Sequence, residues 1–289
     1  GQELWRNEGN QLETIIALGT VGCNVARKLE QYEQYDVYKI DHEESEEKNY
    51  QKIRKYDNPE KYEKTIPGVK TLLKKVEGSV LFVVCGASTV ASASLVILEQ
   101  IHKRCDINVL YVKPETDLLS EQKKMQERAV RNVLQHYARS GLLERMFLVS
   151  NESLDPMVED ASILGYHDSL NDLISSAFHM INFFNHVDSV TDTFSPPAET
   201  AKISTIGMMS IETGEENMFF PLDRVRETRY YYGIPEESLR KEKLLHRKIV
   251  KQVKEKATDS KKVSYGIYST TYNDEFAYVL SHSSFVQEM

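Results

Sequence analysis

The segment Gly19-Thr20-Val21-Gly22-Cys23-Asn24 places two glycines three apart, directly after the apolar run at residues 12–18. Glycine at such a turn lets backbone N–H groups approach a phosphate closely, and a helix starting there adds the positive end of its dipole. Asp41 lies about 20 residues further on, where a carboxylate at a strand end hydrogen-bonds a ribose hydroxyl in dinucleotide folds. That fingerprint also needs glycine where Ala17 stands, so only two of its three glycines are present. A nicotinamide-dependent enzyme is therefore one reading, and a bare strand-to-helix turn is another. A second turn, Gly86-Ala87-Ser88-Thr89, follows the apolar run at residues 80–84.

Other chemistry is thinner. The eight histidines form no HExxH or other compact ligand pattern, and the three cysteines have no CxxC spacing, so no metal site is expected. Tyr230-Tyr231-Tyr232 beside Arg226 and Arg229 offers stacking surface for a base or a partner, or packs a domain interface. Residues 240–256 carry a basic amphipathic pattern with Leu244, Ile249, Val250 and Val253 as the apolar stripe.

These turns need a scaffold. Residues 12–18, 36–40, 80–84, 108–112 and 146–149 read as buried strands, while 25–32, 69–76, 93–103 and 120–138 read as helices. Residues 19–24 are expected as a turn. Strands alternating with helices predict an α/β, doubly wound, mainly parallel sheet that binds ligands beyond its strand C-termini. Residues 171–184 form an apolar central helix, and the Pro-containing stretch 188–200 reads as a linker. Residues 1–190 are thus expected as the α/β domain and 200–289 as a smaller α+β domain. In the latter, 202–211 is a strand, 237–256 a helix, and 262–271 with 275–281 an antiparallel hairpin.

Taken in order, these motifs resemble the tubulin/FtsZ family over residues 12–211. Residues 15–29 (IIALGTVGCNVARKL) are similar to the family's first phosphate loop, and Asp57-Asn58-Pro59-Glu60 to its third loop. Residues 81–99 stand where the family carries its glycine-rich signature, of which Gly86 and Thr89 match. Lys113-Pro114-Glu115 resembles the family's Lys-Pro loop. The resemblance implies a GTPase-type fold with GTP or GDP and Mg as ligands. It places Gly19, Thr20, Gly22, Cys23, Asn24, Asp41, Gly86, Ala87, Ser88, Thr89 and Lys113 around the nucleotide, with Asn151 and Asp172 on the guanine. An amide and a carboxylate suit a guanine edge, although Asp172 beside Asn171 also suits helix capping. Asp188 and Asp192 fall where the family presents catalytic acids to a neighbouring subunit's nucleotide, although the NxDxxD spacing is not reproduced.

One departure bears on activity. Where the signature has several glycines, this chain has Ala87, Ser88, Val90, Ala91 and Ser92. Their side chains are expected to obstruct the backbone's approach to phosphate, and glycine-only dihedral angles would be costly for Val90. The expectation is a divergent, impaired GTPase acting through self-assembly into oligomers or filaments, or through another protein partner. A working GTP-dependent filament protein is the alternative. The net charge of −8 argues against nucleic acid as the main partner. No apolar run reaches the roughly 20 residues of a membrane span. With no basic or apolar leader among the first eleven residues, a cytoplasmic location is the expectation.

Overall fold

The computed structural model describes residues 13–64 and 66–288. Its first half is built on six parallel strands: β1 (Glu13–Leu18), β2 (Tyr35–Asp41), β3 (Tyr50–Lys52), β4 (Gly78–Cys85), β5 (Cys105–Lys113) and β6 (Arg145–Ser150). They lie in the order β3-β2-β1-β4-β5-β6. All of β1 is buried, as is β4 from Val80 onward. Such strands need cover on both faces, which parallel crossovers supply. On one face Ile15, Ala17, Leu81 and Val83 meet α1 (Gly19–Glu30) and the central helix, whose buried residues include Ile174, Ala177 and Phe178. On the other, Ile16, Leu18, Phe82 and Val84 meet α2 (Val69–Leu72), α3 (Ser94–Glu99) and α4 (Glu121–Arg139). The short α5 (Asn151–Leu154) leads toward that central helix, α6 (Tyr166–Asn185).

The expected linker itself holds a short strand, β7 (Thr191–Asp192), and the sheet continues beyond it through β8 (Ile203–Met209), β9 (Glu216–Met218), β10 (Val225–Pro235), β11 (Lys262–Thr270) and β12 (Phe276–Ser283). Strand β8 joins β6 in parallel through Met146↔Ile203 and Phe147↔Ser204, and the order runs on as β8-β12-β10-β11-β7. Helices α7 (Glu236–Lys241) and α8 (Leu245–Lys256) connect β10 to its parallel neighbour β11.

Several expectations are corrected here. Residues 19–24 are no separate turn: α1 begins at Gly19 itself. Strands β11 and β12 do not pair with each other, because β10 lies between them, parallel to one and antiparallel to the other. The tyrosine run is the middle of β10 rather than an exposed stacking surface. Tyr230 and Tyr232 point to α8 and Tyr231 to α6, as alternation requires. Each hydroxyl donates a hydrogen bond, to Glu216 Oε2 (2.9 Å), Asn185 Oδ1 (2.8 Å) and Gln252 Oε1 (2.8 Å) in chain order. The basic helix is broken between α7 and α8, and its buried stripe is Leu245, Ile249 and Val253, leaving Leu244 exposed. Among the described residues no helix is long and apolar enough to cross a membrane.

Candidate functional site

Parallel pairing brings Leu18, Asp41, Cys85, Lys113 and Ser150 to one edge of the sheet. At this edge Gly19 adopts φ +81°, a left-handed conformation that bends the chain straight from β1 into α1. Gly22 serves close packing instead: a methyl group there would stand 2.5 Å from Val83 O. Thr20 is exposed in the first turn. Cys23 faces the sheet, its Sγ 3.7 Å from Ala17 O and 3.6 Å from Ile40 O. Burial, reinforced by the nearby Asp41 charge, pushes its thiol up to about 12, which makes it a packing group rather than a nucleophile. Asn24 Oδ1 accepts from Arg27 Nη1 (2.8 Å), and buried Asp41 accepts from His42 N (2.8 Å).

The loop after β4 closes over this turn. Gly86 donates its N–H to Val112 O (3.0 Å), and a methyl on it would overlap the Tyr111 hydroxyl at 1.6 Å. The chain then enters a 3-10 turn, Thr89–Ala93, which carries Val90 into the core. A methyl on Gly19 would stand 3.0 Å from Val90 Cγ1 and 3.4 Å from Ser88 Oγ. The two loops therefore converge, and side chains occupy the point of convergence. The strain expected at Val90 is absent: among the described non-glycine residues only Asn49 and Arg224 have positive φ.

Two α4 residues missed in the sequence hold the loop from the other side. Lys123 Nζ donates to Ala87 O (3.2 Å) and Thr89 Oγ1 (2.8 Å), and Gln126 Nε2 donates to Ser88 O (2.7 Å). The only signal for them was Ser120, which caps α4 through Lys123 N (3.2 Å) and so fixes which face residues 123 and 126 share. Below the loop, Tyr111 Oη donates to Glu127 Oε2 (2.6 Å), and Glu127 pairs with Arg131 (3.1 Å), both carboxylate and guanidinium being 1% exposed. Burial and the Glu127 carboxylate raise the Tyr111 hydroxyl well above its ordinary range.

The remaining expected residues are dispersed. Asn58 Oδ1 accepts from Glu60 N (2.9 Å), capping the 3-10 turn Pro59–Glu63. Lys113 is buried at the end of β5, and Asn151 opens α5 directly after β6. Asp172 meets Lys28 Nζ at 2.7 Å, and the same ammonium holds Asp168 at 2.8 Å. Asp188 lies beyond the other end of α6, about 20 Å of helix away from Asp172. Asp192 is in β7 at the far margin of the sheet, where Oδ2 accepts from Ser189 Oγ (2.5 Å) and Oδ1 from Phe194 N (3.1 Å). Within one chain neither acid reaches the converging loops.

No family profile and no curated protein matches the sequence. Solved structures do match over nearly the whole chain. GDP-form protofilaments of TubZ from Bacillus thuringiensis serovar israelensis align with TM-score 0.71 at 14% identity, covering 94% of this chain and 85% of that one. A four-stranded TubZ-Bt filament aligns with TM-score 0.71 at 13% identity, over 97% and 89%. A mutant FtsZ from M. jannaschii aligns with TM-score 0.69 at 11% identity, over 98% and 93%.

Proposed function

Starting from the tubulin/FtsZ-like fold that these alignments establish, we propose that this chain is a divergent assembly protein whose guanine-nucleotide site is weakened or lost. The observation that carries this reading is the occupied junction of the two phosphate-type loops. Ser88 and Val90 lie where Gly19 opens α1, and the acceptors Ala87 O, Ser88 O and Thr89 Oγ1 are tied to Lys123 and Gln126, which fix the loop in this position. Peptide N–H groups cradle phosphate only where nothing else fills the approach. The residues present fit a triphosphate poorly. Mg would depend on phosphate oxygens, since among the described residues no group of three or more His, Cys, Asp or Glu is placed for a metal.

Under this reading the chain works through self-association, as the filament-forming TubZ neighbour does. A second reading, GTP-dependent assembly, is favoured by the left-handed Gly19 and the exposed Thr20 at the start of α1, features of a helix N-terminus open to an anion. Asp188 and Asp192, distant from their own loops, would then serve the next subunit. The nicotinamide reading draws least support, because the Asp41 carboxylate is buried and bonded to His42 N. Light scattering with and without GTP separates the first two. Nucleotide-independent assembly that survives Thr89→Ala supports the first, and GTP-triggered assembly that Thr89→Ala removes supports the second.

A further inference from the structure

The opposite edge of the sheet carries a basic cleft. Strands β8, β10 and β11 begin there and β12 ends there, while α4 ends beside them. Between these ends is a cavity of about 790 Å³ whose wall includes Arg139, Arg224, Arg226, Thr200, Ser260 and Ser284. Among the described residues, no carboxylate comes within ion-pair distance of these three guanidiniums. That clustering runs against the composition, 44 acidic residues to 36 basic. Like charges gathered in a concavity repel one another unless an anion joins them.

Two of the guanidiniums are also held in place. Arg226 Nη1 donates to Thr200 Oγ1 (2.8 Å), so the threonine proton remains to donate to a ligand. Arg224 lies over the Phe285 ring, 4.4 Å from its centroid, and its backbone takes φ +54°, unusual for a side chain of this size. Its N–H donates to Asp223 Oδ1 (3.0 Å), and Asp223 N in turn donates to Gln287 Oε1 (2.7 Å). The charged and hydroxyl groups named in the wall are hydrogen-bond donors, and guanidinium forks match the oxygens of a phosphoryl group. The volume exceeds one phosphate.

We propose that this cleft binds a polyphosphate group, either as free pyrophosphate or as the phosphate tail of a nucleotide. It is independent of the converging loops, which lie at the other edge. Calorimetric titration of the full chain with pyrophosphate, GTP, ATP and guanosine tests it. Pyrophosphate and both nucleotides should bind, guanosine should not, and affinity should fall roughly tenfold as salt rises from about 20 to about 200 mM. Equal affinities would identify the phosphates alone as the ligand, whereas tighter nucleotide binding would assign the natural source to nucleotides. Arg224→Ala and Arg226→Ala should each cost roughly tenfold in affinity, and Arg226→Lys somewhat less. Native thermal midpoints would confirm that these variants fold. Lys254→Ala, on the exposed side of α8, should change nothing. No binding at about 5 mM pyrophosphate in low salt would overturn the proposal. So would unchanged affinity in a folded Arg224→Ala/Arg226→Ala double variant, equal competition by acetate, or loss of binding in Lys123→Ala instead.

Discussion

Gly19→Ala probes the loop junction directly. The new methyl would stand 3.0 Å from Val90 Cγ1 and 3.4 Å from Ser88 Oγ, on a backbone held at φ +81°. The left-handed conformation alone costs an alanine about 1 kcal/mol, and moving Val90 by a few tenths of an ångström inside a packed core adds about another. Val90→Ala removes two buried carbons and should cost about 2 kcal/mol. In the double variant the steric share of the Gly19 penalty disappears while the backbone share stays. The two substitutions should therefore couple by about 1 kcal/mol, with the double variant more stable than the sum predicts. Urea unfolding of the four proteins at constant m-value measures this. Strict additivity would mean that in solution Val90 does not rest on Gly19, and the closed junction would be wrong.

Three further outcomes follow from other parts of the chain. Glu127→Ala should destabilise by roughly 3 kcal/mol or more by leaving Arg131 charged and buried without its partner; replacing Arg131 by Met in the same chain should recover much of the loss in urea unfolding. Burial raises Glu13 to about 7, so the folded state retains a proton that the unfolded chain releases above 4.5. Stability should accordingly fall by roughly 3 kcal/mol as pH rises from 4.5 to 7, and Glu13→Gln should flatten that slope. Glu47 has the opposite sign: hydrogen bonding from Arg27 first, then Lys39 and Ser45, lowers it to about 2. Its contribution is present above 4.5 and lost toward 2; with a third of the side chain exposed it is about 1 kcal/mol, read from acid unfolding of Glu47→Gln.

The parallel half of the sheet was legible because β1 and β4 are buried on both faces and so read as unbroken apolar runs. Helices α4 and α6 were legible from length and periodicity. Strand β10 was not, because Arg226, Glu227, Thr228 and Arg229 open it with polar residues, two of which the fold nevertheless buries. The hairpin reading of β11 and β12 failed for a related reason. Closeness in sequence favours direct pairing, but the α7–α8 crossover places β11 on β10's far side, a decision made by tertiary packing. At the candidate site, Gly19 was visible as a glycine ending an apolar run. Of the two effects expected around Val90, the dihedral strain is absent, and its side chain packs in the core with Cγ1 3.0 Å from where a methyl on Gly19 would stand. Lys123 and Gln126 had no motif, since their partners lie more than 30 residues earlier in the chain.

Equilibrium titration of the full chain with GTP, with pyrophosphate and ATP as competitors, tests the central claim most directly. A closed loop junction predicts no guanine-specific binding tighter than about 100 µM, roughly −5.5 kcal/mol, with any bound GTP displaced equally well by ATP or pyrophosphate. Micromolar GTP binding that ATP and pyrophosphate leave in place, and that Thr89→Ala abolishes, would contradict it.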